Sequence, residues 1–109
     1  MYKMQLSNHF EIADFIERIS SKPVDKNLIE DYFYGCHALL QVCLVKDLIE
    51  GNIDCNVPDK NLERKYLTLP VKTMPPLIVQ NHTIFDGNHR FRVLKKLGII
   101  IFPIYKIRK

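Results

Sequence analysis

The stretch Ile84-Phe85-Asp86-Gly87-Asn88-His89-Arg90-Phe91-Arg92-Val93-Leu94-Lys95-Lys96-Leu97-Gly98 decides the fold, because it passes from strand through turn to helix within fifteen residues. Phe91, Leu94 and Leu97 recur at helical spacing on one face, Arg92, Lys95 and Lys96 share another, and Gly98 is the expected C-cap. A glycine-bearing turn directly before a helix start presents unpaired backbone N–H groups and the positive end of the helix dipole. Together these favour an anion by roughly 0.3–1 kcal/mol at an exposed site and up to about 2 kcal/mol in a partly buried one. Gly87 and Asn88 let the main chain approach a phosphate, Arg90 can grip its oxygens in a fork, and His89 can donate a hydrogen bond or move a proton. Asp86 can orient His89 or Arg90, hold a divalent metal beside a phosphate, or act as a base. The same residues also admit a purely structural reading, in which Asp86 caps the helix, Gly87 and Asn88 turn the chain, His89 packs, and Arg90 pairs with Asp86. Neither a Walker A loop nor a dinucleotide-binding glycine pattern occurs.

Upstream, Pro75-Pro76 fixes an extended entry into Leu77-Ile78-Val79-Gln80, and Asn81-His82 is a two-residue turn into Thr83-Ile84-Phe85, which makes a hairpin. Downstream, Ile99 to Tyr105 is a closing strand, and Pro103 places it at an edge or an end of the sheet. The expected fold class is α+β, with a small mixed sheet, packed helices and a helical N-terminal extension.

The N-terminal part carries that extension. Phe10, Ala13, Phe15, Ile16 and Ile19 predict a helix over about 9–20, behind the caps Ser7 or Asn8. A second helix is expected from Asp25 to about Gly35, with Leu28, Ile29, Tyr32 and Phe33 on its apolar face. Leu39 to Val45 reads as a buried strand, although a short apolar run also suits a continuing helix. From Asp47 to Thr73 the pattern weakens into loops and short helical turns marked by Gly51, Asn52, Asn56, Pro58 and Pro70. The organisation expected is one domain over 1–109, with 1–36 as the extension and 37–109 as a phosphate-binding core.

With 109 residues, 47% hydrophobic and 26% charged, the chain is too apolar for disorder and too short for two domains. No apolar run reaches the length of a membrane span, and the N-terminus lacks the apolar segment of a secretion signal. Cys36, Cys43 and Cys55 form no CxxC pair, which suits a reducing, cytoplasmic setting. The net charge of +4 is unevenly spread: no acidic side chain follows Asp86, whereas Arg90, Arg92, Lys95, Lys96, Lys106, Arg108 and Lys109 do. A solvated helix face with a basic tail explains this spread, as does an anion site, and a pI near 9.0 suggests anionic partners, nucleotides or nucleic acid. Other groupings are weaker. His82, His89 and Asp86 could converge on a metal, although His82 reads better as a solvated turn residue. Cys36 and His37 are neighbours whose side chains diverge; Tyr32, Phe33 and Tyr34 could stack a base, although Tyr32 and Phe33 suit a core. Lys60, Arg64, Lys65 and Lys72 are cations of the weakly patterned stretch.

These residues resemble the ParB/sulfiredoxin superfamily. The similar features are Pro75-Pro76-Leu77-Ile78-Val79, then Ile84-Phe85-Asp86-Gly87-Asn88-His89-Arg90, then Leu97-Gly98 and Pro103-Ile104-Tyr105, with Val42 to Ile49 resembling the family's first strand and turn. The resemblance spans residues 40–107 and implies a nucleotide-phosphate site served by Gly87, Asn88, His89 and Arg90. ATP or CTP with Mg²⁺ is the implied cofactor set, with Asp86 at the metal. Sulfiredoxin chemistry needs a cysteine where Asn88 stands, so reductase activity is not expected. The chain stops at Lys109 without the helix-turn-helix of partition proteins, so sequence-specific centromere binding is not expected either. What remains is a nucleoside triphosphatase or DNA nuclease with Asp86, His89 and Arg90 as catalytic residues. The alternatives are a kinase of a small acceptor such as free serine, with Glu50 or Asp86 as base, and a non-catalytic nucleotide-sensing, DNA-binding or inhibitor module. DNA would meet the basic C-terminal helix and tail.

Overall fold

The computed structural model describes residues 2–20, 23–51, 64, 67, 68 and 70–109. Among them a five-stranded mixed sheet carries helices on both faces. The elements are β1 (Gln5–Leu6), α1 (His9–Ile19), α2 (Lys26–Tyr32), β2 (His37–Leu44), β3 (Leu77–Gln80), β4 (Thr83–Asp86), α3 (Asn88–Lys96) and β5 (Ile101–Arg108), with short 3₁₀ turns at Val45–Asp47 and Val71–Thr73. The strand order is β1-β2-β5-β3-β4. β5 runs antiparallel to β2 and parallel to β3, and the other neighbours are antiparallel. Asn52, Cys55, Asn56, Pro58, Lys60 and Lys65 lie outside the described residues.

Alternation along β5 builds two cores, because successive side chains of a strand point to opposite faces. Tyr105 and Ile107 join Ala38 and Ile78 beneath Ile12, Phe15, Ile16, Ile29 and Phe33. Phe102 and Ile104 join Leu77, Val79 and Ile84 beneath Phe91, Val93 and Leu94 of α3. α1 starts where Asn8 Oδ1 accepts from the Glu11 amide, and α2 where Asp25 Oδ1 accepts from the Leu28 amide. The N-terminal segment is therefore not wholly helical. Gln5 and Leu6 pair with Leu39 and Ala38, and the buried Tyr105 hydroxyl donates to the Lys3 carbonyl at 2.6 Å.

Four sequence expectations are corrected. β5 lies at the centre of the sheet and not at its edge; Pro103 is tolerated because β3 joins only from Ile104 onward. In α2 only Ile29 is buried, while Leu28 and Tyr32 are exposed, because the helix lasts two turns and Phe33 at its C-cap supplies the second anchor. β2 is half open to solvent, with Val42 exposed, since α1 and α2 cover only the part of that face nearest Tyr105 and Ile107. In α3, Leu97 is exposed, and Gly98 follows the C-cap at φ 69°. The Gly98 amide donates to the Lys95 carbonyl and the Ile99 amide to the Leu94 carbonyl, which is the Schellman pattern.

Candidate phosphate-binding turn

The β3–β4 hairpin turns at Asn81 and His82, both with positive φ (50° and 68°), as a two-residue turn matched to strand twist requires. One residue before the turn to α3 the register slips: Ile78 faces Asp86 whereas Val79 faces Ile84, so Phe85 is an extra, bulged residue. Such bulges re-aim the neighbouring side chain, here Asp86. Phe85 itself stacks on Tyr32, ring centroids 5.0 Å apart, and meets Phe33 edge-on at 4.6 Å.

Gly87 is the N-cap of α3, at φ 107°, and no side chain caps the helix. Asp86 therefore does not cap it; it reaches Arg90 instead, Oδ2 to Nη2 3.5 Å. The same Nη2 donates to the Pro76 carbonyl at 3.2 Å, and Arg90 as a whole is buried. Among the described residues its Nε has no hydrogen-bond partner, and neither has Nδ2 of the buried Asn88. Gly87 is favoured by its φ of 107°, and a Cβ there would lie 2.5 Å from Leu77 Cδ2 and 2.7 Å from Arg90 Nη2, two side-chain ends that would have to shift. Burial raises the Asp86 carboxyl above its ordinary value, against the opposing pull of Arg90 and, more weakly, His89.

The segment after the first 3₁₀ turn closes the site from the side. Ile49 bridges Thr83 in parallel; its amide donates to the His82 carbonyl (2.8 Å) and its carbonyl accepts from the Ile84 amide (2.9 Å). Two residues on, the Gly51 amide donates to Asn88 Oδ1 at 2.9 Å. A Cβ at Gly51 would lie 2.0 Å from the Ile84 carbonyl oxygen, so the strap lies flat on β4 only with glycine there. Glu50 takes a bidentate grip from Arg92, Nε to Oε1 3.0 Å and Nη2 to Oε2 3.4 Å.

Asp86, Gly87, Asn88, His89 and Arg90 thus form one turn, and Glu50 is brought beside it through Arg92. His82 sits in the hairpin turn. Among the described residues no group of three or more His, Cys, Asp or Glu side chains converges to hold a metal. One carboxylate, Asp86, stands at the turn, which fits a magnesium ion carried largely by phosphate oxygens and water. Gly51, Pro76 and Arg92 are contributors that pattern reading missed. Gly51 was legible only as a turn glycine, and the other two act through tertiary contacts without local signal.

Two solved structures of ParB N-domains are similar to this chain. A crystal form of the pNOB8-like ParB N-domain is 27% identical, with a TM-score of 0.57, over 68% of this chain and 31% of that one. A second structure of the pNOB8-like domain is 24% identical, with a TM-score of 0.53, over 81% and 30% respectively. The fold is that of a ParB N-domain, and the chain spans about a third of the length of those proteins. No family model and no curated protein matches the chain. No described helix is long and apolar enough to cross a membrane.

Proposed function

We propose that the turn from Asp86 to Arg90 binds the phosphates of a nucleoside triphosphate, as a ParB-like nucleotide-binding protein. The observation that carries this reading is the start of α3. Among the described residues its first turn has no capping side chain, and two buried donors, Arg90 Nε and Asn88 Nδ2, have no partner. Donors of this kind, together with the helix dipole, favour an anion that brings several acceptor oxygens. His89, in the first turn and half-buried, is the side chain that would hydrogen-bond a phosphate or supply a proton. Arg90, with its Nη2 already on Pro76 and Asp86, contributes positive charge from below the turn.

A magnesium ion shared with the phosphates would be held by Asp86 and would supply charge neutralisation at the reacting phosphoryl group. Triphosphate hydrolysis, or cleavage of a DNA phosphodiester, is the reaction that such a site would support. The cations that would lead nucleic acid towards it are Lys95 and Lys96 of α3. Transfer to a small acceptor with Glu50 as base is less well supported, because both Glu50 oxygens accept from Arg92.

The test is calorimetric titration with Mg²⁺–ATP and Mg²⁺–CTP of the native chain and of His89→Glu. A carboxylate in the first turn suits the helix dipole and repels phosphate, so the variant separates ligand loss from unfolding. Binding by the native chain and its loss in a folded His89→Glu support the reading. Absence of binding by the native chain, or undiminished binding by the variant, overturns it.

A further inference from the structure

A basic cleft lies at the other end of the sheet. A cleft of about 650 Å³ is lined by His37, Gln80, Asn81, Lys106, Arg108 and Lys109 together with the backbone around Ile107. Among the described residues no carboxylate side chain lines it. His37 and Arg108 are directly paired across β2 and β5, and Lys106, two residues before Arg108, points to the same face of the sheet. α3 covers that face only over Phe102 and Ile104 and leaves this end uncovered. Among the described residues Lys106, Arg108 and Lys109 make no ion pair, unlike Lys3, Lys26, Arg90 and Arg92, each of which has a carboxylate partner. Three carboxylates, Glu11, Asp14 and Glu17 along α1, line a separate hollow. Segregation of this kind produces a directional field, which an evenly solvated surface does not.

We propose that this cleft binds the sugar–phosphate backbone of a single-stranded nucleic acid, independently of the turn at Gly87. Three unpaired cations suit a repeating anion, and the two amides and the imidazole add donors for phosphate and sugar oxygens. The cations sit in a hollow. A flexible single strand can bend into it, whereas a duplex, stiff over about 150 base pairs, meets only its rim.

The experiment is fluorescence-anisotropy titration of the full chain with a labelled twenty-nucleotide single-stranded DNA of mixed sequence, at several salt concentrations. Three phosphate contacts give a log–log salt slope of roughly −2, which is a roughly twenty-fold loss of affinity between about 50 and 200 mM salt. Lys106→Gln/Arg108→Gln is expected to weaken binding and flatten that slope to about −0.7, while Lys106→Arg/Arg108→Lys retains both and reports that the site, not the fold, was changed. Lys46→Gln/Lys72→Gln removes the same charge outside the cleft and is expected to bind like the native chain; an equal loss there overturns the site. Saturating Mg²⁺–ATP is expected to leave binding unchanged, and displacement of the DNA by it overturns the independence from the Gly87 turn. Equal or tighter binding of the matching duplex, or of polyglutamate, also overturns the proposal.

Discussion

Glu50 and Arg92 are 42 positions apart in sequence and are held by two parallel contacts, Nε to Oε1 at 3.0 Å and Nη2 to Oε2 at 3.4 Å. The pair ties the strap beside β4 to the second turn of α3, and the Gly51–Asn88 hydrogen bond repeats the tie one residue further on. The two contacts fix where the chain enters and where the helix begins, so the geometry of the turn between them depends on both.

The pair is mostly shielded, with Arg92 16% and Glu50 28% exposed, and fork-to-fork in geometry. A double-mutant cycle over Glu50→Gln and Arg92→Gln, followed by urea unfolding, is expected to give a coupling of about 1 kcal/mol. Additive single effects would show that the pair is incidental to the fold.

Gly51→Ala is expected to cost more than Gly98→Ala, although Gly98 is the glycine with positive φ. The new methyl at Gly51 meets the Ile84 carbonyl oxygen, which is backbone and cannot step aside, whereas nothing lies within 4 Å of one at Gly98. The strap must lift, at a cost of about 2–3 kcal/mol, against about 1–2 kcal/mol for the left-handed conformation at Gly98. Hydrogen exchange at the Ile84 amide, which donates to Ile49, distinguishes the cases: it accelerates in Gly51→Ala and not in Gly98→Ala.

The parts of this molecule that were legible in its sequence are those whose signals are local. Asn81-His82 announces a tight hairpin and Phe91 with Leu94 a helix face, and both stand where spacing puts them. The strand at Gln5–Leu6 was illegible because two residues carry no period; only Leu39 and Ala38 make them a strand. Pro103 argued for an edge because a local rule cannot know that β3 joins the central strand one residue later. At the site, Asp86 to Arg90 were legible as a unit. The direction of Arg90 was not, since it follows from the Pro76 carbonyl, fourteen positions upstream, and from the room left by Gly87.

Asp86 is expected to titrate above its ordinary value of 3.8, because burial outweighs the attraction of Arg90. A carboxyl with a raised folded pKa binds protons more tightly in the folded than in the unfolded chain. Its contribution therefore favours the fold at low pH and is lost as pH rises from 3.8 through the raised folded value. Carbon-detected titration of the aspartate side chains checks the direction, and Arg90→Gln, which removes the main opposing influence, is expected to move the midpoint higher still. A midpoint below 3.8 would mean that the Arg90 contact dominates.

Tyr105→Phe tests whether the N-terminal segment is integral to the core or merely laid against it. The ring is fully buried, edge-on to Phe15 at 4.9 Å, and its hydroxyl donates to the Lys3 carbonyl from the far end of the chain. Removing the hydroxyl keeps the ring packing and leaves that carbonyl without its donor, at a cost of about 1 kcal/mol. The loss is expected to appear as faster exchange of the Leu40 amide, which donates to the Met4 carbonyl next to Lys3, ahead of any change in the β3–β4 hairpin. Uniform acceleration across the sheet would instead show that β1 and the central strand open as one cooperative unit.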